Sequence, residues 1–290
     1  MQLSWTSRSH PGCLRQNNED YVACMGDQGL WLLADGMGGH QAGEVAAQLA
    51  CQIVSQSIRT GSDPKEAFSL AHQLILDQSE GQQSGMGSTL ICLQQLNDEQ
   101  FQISWVGDSR AYRWRNGELE QLSRDHSYVQ SLIDAGQITP DQAREHPEKN
   151  IITQCLGAIE YDAIEVESLN SFWLPGDLII LCSDGLNDEL HDSEIARILS
   201  QSDDTEQQLL DLENAALDSG GKDNISMVGV SYGDLKSQRT RPLNRSKRRN
   251  KSEVPDSLDF ERAGRYSSTP VLAFILLSVV LIAASALWFW

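Results

Sequence analysis

The sequence predicts an α+β fold in which strands pair in hairpins and helices form separate layers. Three observations carry this. Apolar runs of strand length follow one another across short turns, at 88–93, 101–106 and 111–114, instead of alternating singly with helices. Helical spacing comes in pairs of segments, at 44–59 with 64–75 and at 192–199 with 205–217. Aspartates beside glycines recur at the ends of apolar runs, at Asp35, Asp108, Asp184 and Asp223.

Residues 3–25 read as short strands around the polar loop Gly12 to Asp20. Leu30 to Ala34 is too short for an ordinary helix and reads as a buried strand, ending at Asp35 in a glycine cluster that lets the backbone turn sharply. Glu44 to Arg59 carries Val45, Leu49, Ile53 and Val54 at amphipathic helical spacing. A second helix starts at Asp63-Pro64, with Ala67, Phe68, Ala71, Leu74 and Ile75 as its stripe. From Gly87 an antiparallel meander is expected: Ser88 to Leu93, Phe101 to Val106, then Ala111 to Trp114 before an Asn116-Gly117 turn. Val129, Leu132 and Ile133 restore helical spacing, broken near Pro140, so Ser123 to Gly157 reads as an insertion between sheet elements. Strands are expected at Ala163 to Val166 and Asp177 to Cys182, and Ile225 to Tyr232 closes the unit near Asp234.

Charge divides the chain. Residues 1–235 carry 12 Lys and Arg against 37 Asp and Glu, while residues 236–290 carry 10 against 4. So acidic a main unit does not suit nucleic acid, whose binding depends on basic side chains, and it does suit divalent cations. The six cysteines form no Cys-x-x-Cys pair, which favours buried thiols in a reducing compartment. Residues 236–270 read as a basic, disordered linker. Residues 271–290 hold 20 residues without a charge, the length of a spanning helix, with Trp288 and Trp290 for the far interface. The expectation is a tail anchor in the inner (plasma) membrane, with residues 1–235 on the cytoplasmic side and the basic stretch against anionic head groups.

Glu19, Asp20, Asp35, Asp108, Asp184 and Asp223 together offer oxygen ligands without the His and Cys that zinc prefers. Such a set suits Mg²⁺ or Mn²⁺. Two such ions can activate a water and clamp a phosphate ester. Arg15 supplies a planar fork for phosphate oxygens. No Cys is followed six residues later by Arg, and no Gly-x-x-x-x-Gly-Lys-Ser/Thr, His-Glu-x-x-His or Gly-x-Ser-x-Gly occurs. Cysteine-phosphatase, P-loop nucleotide, zinc-protease and serine-esterase chemistries therefore lose support.

Seven stretches then occur in order: Gly12-x-x-Arg15-x-x-Asn18-Glu19-Asp20, Asp35-Gly-Met-Gly-Gly-His40, Gly87-Ser-Thr89, Val106-Gly-Asp108-Ser-Arg110, Leu122-Ser-Arg-Asp125-His126-Ser127, Ser183-Asp184-Gly-Leu186 and Gly221-Lys-Asp223-Asn224. With them the chain resembles the bacterial metal-dependent serine/threonine protein phosphatases of the type 2C family. The resemblance implies a central antiparallel β-sandwich flanked by helices in α-β-β-α layers, with two Mn²⁺ or Mg²⁺ ions at one end. By motif position Asp35 bridges the ions, the Gly36 carbonyl binds one, and Asp184 and Asp223 complete the pair. Glu19 and Asp20 act through waters, and Asp108 joins Asp184 at a third, weaker ion. Arg15 holds the substrate phosphate, so Arg15, Asp35, Asp184 and Asp223 form the implied catalytic set. Ser123 to Gly157 corresponds to the family's flap, beside the site. The implied partners are phosphorylated proteins, substrates of Ser/Thr kinases. Within the fold, a regulator serving one dedicated phosphoprotein is an alternative, and a silent membrane scaffold is the alternative from another class.

Two departures stand out. Some relatives place a histidine, proposed as general acid, where this chain has Met37, and His40 lies three residues further on. His10 stands where many relatives have an acidic residue.

Overall fold

The computed structural model describes residues 2–38, 42–79, 85–158 and 163–233. His40, the linker 236–270 and the anchor 271–290 lie outside the described residues. Among those described, no helix is long and apolar enough to cross a membrane.

In chain order the elements are β1 (Gln2–His10), β2 (Asp20–Met25), β3 (Leu30–Met37), α1 (Ala42–Arg59) and α2 (Pro64–Ser79). Then come β4 (Gly87–Ser88), β5 (Leu90–Gln95), β6 (Gln100–Val106), β7 (Arg110–Arg115) and β8 (Glu118–Gln121). The insertion holds α3 (Tyr128–Asp134) and α4 (Pro140–Arg144). The rest is β9 (Glu167–Phe172), β10 (Asp177–Cys182), α5 (Asp184–Asn187), α6 (Asp192–Leu199), α7 (Thr205–Asp218) and β11 (Ile225–Gly233).

Two antiparallel sheets result. One runs β1-β11-β10-β7-β8, and the other runs β2-β3-β5-β6-β9 with β4 attached to β3. Trp31, Leu33, Ile91, Phe101, Ile103, Ile179 and Val228 fill the space between them. Burying each such side chain is worth roughly 1.5–3 kcal/mol, so this layer fixes the stacking of the sheets. The outer face of the β3 sheet packs Leu30, Leu32, Leu90 and Cys92 under α1 and α2. The outer face of the β10 sheet packs Tyr112, Leu178, Ile180 and Met227 under α6 and α7. The α-β-β-α layering implied by the sequence is therefore present.

Several expectations need correction. The meander does not stay in one sheet: β6 pairs with β5, while β7 pairs with β10 and β8 on the opposite sheet. The chain crosses at Gly107, whose φ of 106° is open to glycine. On α1 the buried side is Ala46, Ala47, Ala50, Cys51 and Val54, while Val45 is exposed. Small residues face the sheet because the helix lies close upon it, so the larger aliphatics fall to the flank. Likewise Leu74 of α2 points to solvent. No strand forms over 163–166. It lies instead at β9, an edge strand whose sequence Glu-Ser-Leu-Asn-Ser-Phe gives little apolar alternation. The Asn116-Gly117 hairpin holds as expected, with φ of 53° and 84°.

Candidate active site

The acidic residues meet at one end of the sandwich, and the sheet register explains how. Asp20, the first residue of β2, lies directly opposite Asp35 of β3. Like charges facing each other across a ladder destabilise it, so this pair is maintained against a local cost. The strand does not stop at Asp35, as the sequence suggested. Gly36 and Met37 continue it because they pair with Ser88 and Gly87 of β4.

Backbone contacts fix Asp35 from behind. Its N–H donates to Thr89 Oγ1 (2.9 Å), and its carbonyl accepts from the Thr89 N–H (2.9 Å) and the Ser88 hydroxyl (3.1 Å). Thr89 Oγ1 in turn shares a hydrogen bond of 2.8 Å with Ser109 Oγ, one residue past Asp108. A Cβ on Gly36 would collide with the Gly43 carbonyl, and one on Gly43 would collide with the Glu19 carboxylate. These two glycines let α1 close onto the site.

Asp184 opens α5 immediately after Ser183, its N-cap residue. The Ser183 hydroxyl donates to Asp20 Oδ2 (2.8 Å), joining the two sheets at this point. Asp223 precedes β11 and accepts from Arg15 Nη2 (2.7 Å) and from the Asn224 N–H (2.8 Å). Asn224 organises the approach: its Oδ1 accepts from the Glu19 N–H (2.7 Å), and its Nδ2 donates to the carbonyls of Pro11 (3.0 Å) and Asn17 (2.9 Å). His10 accepts the Gly12 N–H at Nδ1 (3.0 Å), so it shapes the turn into the Arg15 loop.

Electrostatics show the same convergence. Burial raises Asp35 well above the usual carboxylate range, and Asp20, Asp184, Asp108 and Asp223 push it further. Burial does the same to Asp184, followed by Asp108, Asp188, Asp223 and Asp20. Asp108 is pushed up to about 7, first by burial and then by Asp125. Asp20 is pushed up to about 6 by burial, which outweighs its hydrogen bonds from Ser226 and Ser183. Asp125 is gripped by Arg110 through Nε (3.0 Å) and Nη2 (2.7 Å).

Among the described residues, no three His, Cys, Asp or Glu side chains form a ready-made metal cage. The protein's carboxylates alone do not complete a coordination shell, which suits ions that keep several waters. Asp20 Oδ1 and Asp184 Oδ1 are buried without a hydrogen-bond partner. Orphaned acceptor oxygens in an all-oxygen, mutually repelling set fit divalent cations.

The structure thus brings together Asp20, Asp35, Asp108, Asp184 and Asp223, with Glu19 and Arg15 at the edge. Arg15 has a side chain 58% exposed and spends one guanidinium nitrogen on Asp223, leaving donors for an anion. Met37 is half-buried within β3, and its thioether has no proton to give. Asp188 was not singled out from the sequence. The signal that could have found it is its spacing of four from Asp184, which places the two a helical turn apart.

Known proteins agree with this geometry. The family model described as Protein phosphatase 2C matches residues 13–217. Protein phosphatase PhpP of Streptococcus pneumoniae is 37% identical over 238 residues, covering 77% of this chain and 95% of its own. Serine/threonine protein phosphatase PstP of Mycobacterium tuberculosis is 34% identical over 250 residues, covering 83% of this chain. The chain spans about half of that relative's length, 47%. The crystal structure of the PstP catalytic domain in complex with two manganese ions superposes with a TM-score of 0.70 at 33% identity, covering 80% of this chain and 99% of that one. The family model, the relatives above 30% identity and the superposing catalytic domain agree, and the chain belongs to the protein phosphatase 2C family.

Proposed function

We propose that this chain is a membrane-anchored signalling phosphatase that hydrolyses phosphoserine and phosphothreonine in proteins at a binuclear Mn²⁺ or Mg²⁺ centre. The observation that carries the reading is the set of five mutually repelling carboxylates, two with orphaned oxygens, beside an arginine with free donors. When bound, the ions supply Lewis acidity toward phosphoryl oxygens and nucleophilic water at neutral pH.

The chain's residues do the rest. Asp35, Asp184, Asp223 and the Gly36 carbonyl would hold the pair, while Glu19 and Asp20 would orient water around it. Asp108, with Asp184, offers a further, weaker cation position. Arg15 binds the phosphate and aligns its phosphorus for in-line attack, so that the Ser or Thr oxygen leaves opposite the attacking water. Met37 stands where some relatives have a histidine and has no proton to give, so the leaving oxygen is read as taking its proton from water within the site. The substrates are phosphorylated proteins made by Ser/Thr kinases.

Residues 1–235 form the catalytic unit, 236–270 a basic linker and 271–290 a single-pass anchor that keeps the unit at the cytoplasmic face of the inner membrane. The 20 uncharged residues and the basic stretch before them support this part.

The test is phosphate release from a phosphothreonine peptide by the full-length protein in mild detergent with Mn²⁺. Asp35→Asn and Asp184→Asn should each abolish it. Turnover that survives both changes, or persists in excess chelator, would overturn the mechanism. Full-length protein recovered wholly in the soluble fraction would overturn the anchor.

A further inference from the structure

The lobe between the sheets, residues 123–157, is tied down at its roots. The His126 N–H donates to the Gly107 carbonyl (2.9 Å), and the Thr153 N–H donates to the His126 carbonyl (2.7 Å). Leu156 exchanges backbone hydrogen bonds with Ser88 (3.0 and 2.8 Å), and the Gly157 N–H donates to His72 Nδ1 (3.1 Å). Between these roots apolar packing does little. From Tyr128 to Ile151 the only buried side chain is Ala143. Tyr128 and Ile151 are themselves exposed, at 37% and 47%.

Besides the Arg124–Asp134 ion pair at the end of α3 and the Tyr128–His146 ring contact, a pair of cations holds the middle of the lobe to one short helix outside it. Arg144, the last residue of α4, donates through Nη1 to the Asn187 carbonyl (2.8 Å) and through Nη2 to the Asp188 carbonyl (3.5 Å). Lys149 Nζ meets Asp188 Oδ2 at 2.6 Å. Both therefore grip the C-terminal end of α5, where helix carbonyls lack partners, and α5 begins at Asp184. Asp188 also closes the turn, its N–H donating to the Asp184 carbonyl (2.8 Å).

We propose that Arg144 and Lys149 form a latch that sets the height of the lobe over the carboxylate site, making them positioning residues for substrates long enough to touch both. A small aryl phosphate reaches only the site; a phosphopeptide extends from it under the lobe. The latch rests on the phosphatase reading for its consequence, and on the Arg144 and Lys149 contacts for its existence. It is polar and partly solvent-exposed, with side-chain exposures of 32% for Lys149 and 34% for Asp188, so salt weakens it.

The experiment compares full-length protein with the Arg144→Ala/Lys149→Ala double variant and with Lys149→Arg. Hydrogen exchange of backbone amides in α3 and α4 should quicken by about fivefold or more in the double variant, with β3 and β10 unchanged. With Mn²⁺, kcat/KM for a phosphothreonine peptide should fall about tenfold through KM, while p-nitrophenyl phosphate stays within about twofold. Lys149→Arg should retain both behaviours. Unchanged exchange in the lobe would overturn the latch, and so would equal losses on the two substrates, which would place the residues' effect on Asp184 itself. Wild-type protein inert toward both substrates would sink the phosphatase reading, while the exchange comparison would still decide the latch.

Discussion

Replacing Asp20 with asparagine should make the protein more stable in chelator and less responsive to metal. Asp20 is 7% exposed, accepts from Ser183 at Oδ2, leaves Oδ1 unpartnered and faces Asp35 across the ladder. Burial above all, then Asp223 and Glu19, moves it from the ordinary 3.8 to about 6. At roughly 1.4 kcal/mol per unit, holding this carboxylate ionised costs about 3 kcal/mol as an upper limit. An asparagine keeps an acceptor for Ser183 but buries an amide, at a cost of about 1–2 kcal/mol. A net gain of about 1–2 kcal/mol remains, equivalent to about 3–6 °C in Tm for a unit of this size. The sign follows from the raised folded pKa. The carboxyl's contribution is fully present below the unfolded value near 4 and is lost as pH rises through about 6, so the variant's advantage is absent near pH 4 and complete by about pH 8. Calorimetry of full-length protein in EDTA at both pH values measures it, and Mn²⁺ should then raise the wild-type Tm by more than the variant's. A variant melting lower than wild type in EDTA at pH 8, or gaining as much at pH 4, would refute the reasoning.

Thr89→Val removes the acceptor for the Asp35 N–H and should cost about 1–3 kcal/mol, read as a lower Tm together with a lower kcat. Asn224→Ala leaves the Glu19 N–H and two loop carbonyls without a partner. It should cost about 3 kcal/mol, seen in urea melts, and loosen the Arg15 loop enough to raise KM. Gly36→Ala places a methyl against the Gly43 carbonyl, and if the protein folds, the shift in Tm on adding Mn²⁺ should shrink sharply. In EDTA, wild-type stability should fall between about pH 4 and pH 7 as Asp20 and then Asp108 ionise, and Mn²⁺ should remove most of that fall.

The carboxylate set was legible because each acid sits at one end of an apolar run, and runs such as Leu178 to Cys182 leave no ambiguity about burial. The layering was legible for the same reason. What could not be read is what depends on partners distant in sequence. The extension of β3 past Asp35 needs β4, a two-residue strand with no pattern of its own. The change of sheet at Gly107 leaves β6 and β7 reading as consecutive strands of one meander. The polar sequence of β9 pairs with β6 only because an edge beside Gln102 to Trp105 is open to it. On α1 the alanines were overlooked because small side chains score weakly as apolar, although close approach to a sheet selects them. Asp188 was hidden because α5 is only four residues long and has no periodicity to read.

The placement of β11 also constrains how the molecule comes into being. The first strand pairs along its full length with the last, Gln2 opposite Gly233 through His10 opposite Ile225, and β11 lies between β1 and β10. Contacts such as Ser9 with Ser226 join residues 217 apart. Closing so long a loop is slow, and until it closes β1 has no neighbour in its sheet and β10 offers an open edge. Asp223, Asn224 and the Arg15 loop take their places only in that final step. A nascent chain is therefore unable to act on anything until nearly all of this unit has left the ribosome, and during that interval its unpaired strands are what chaperones must shield.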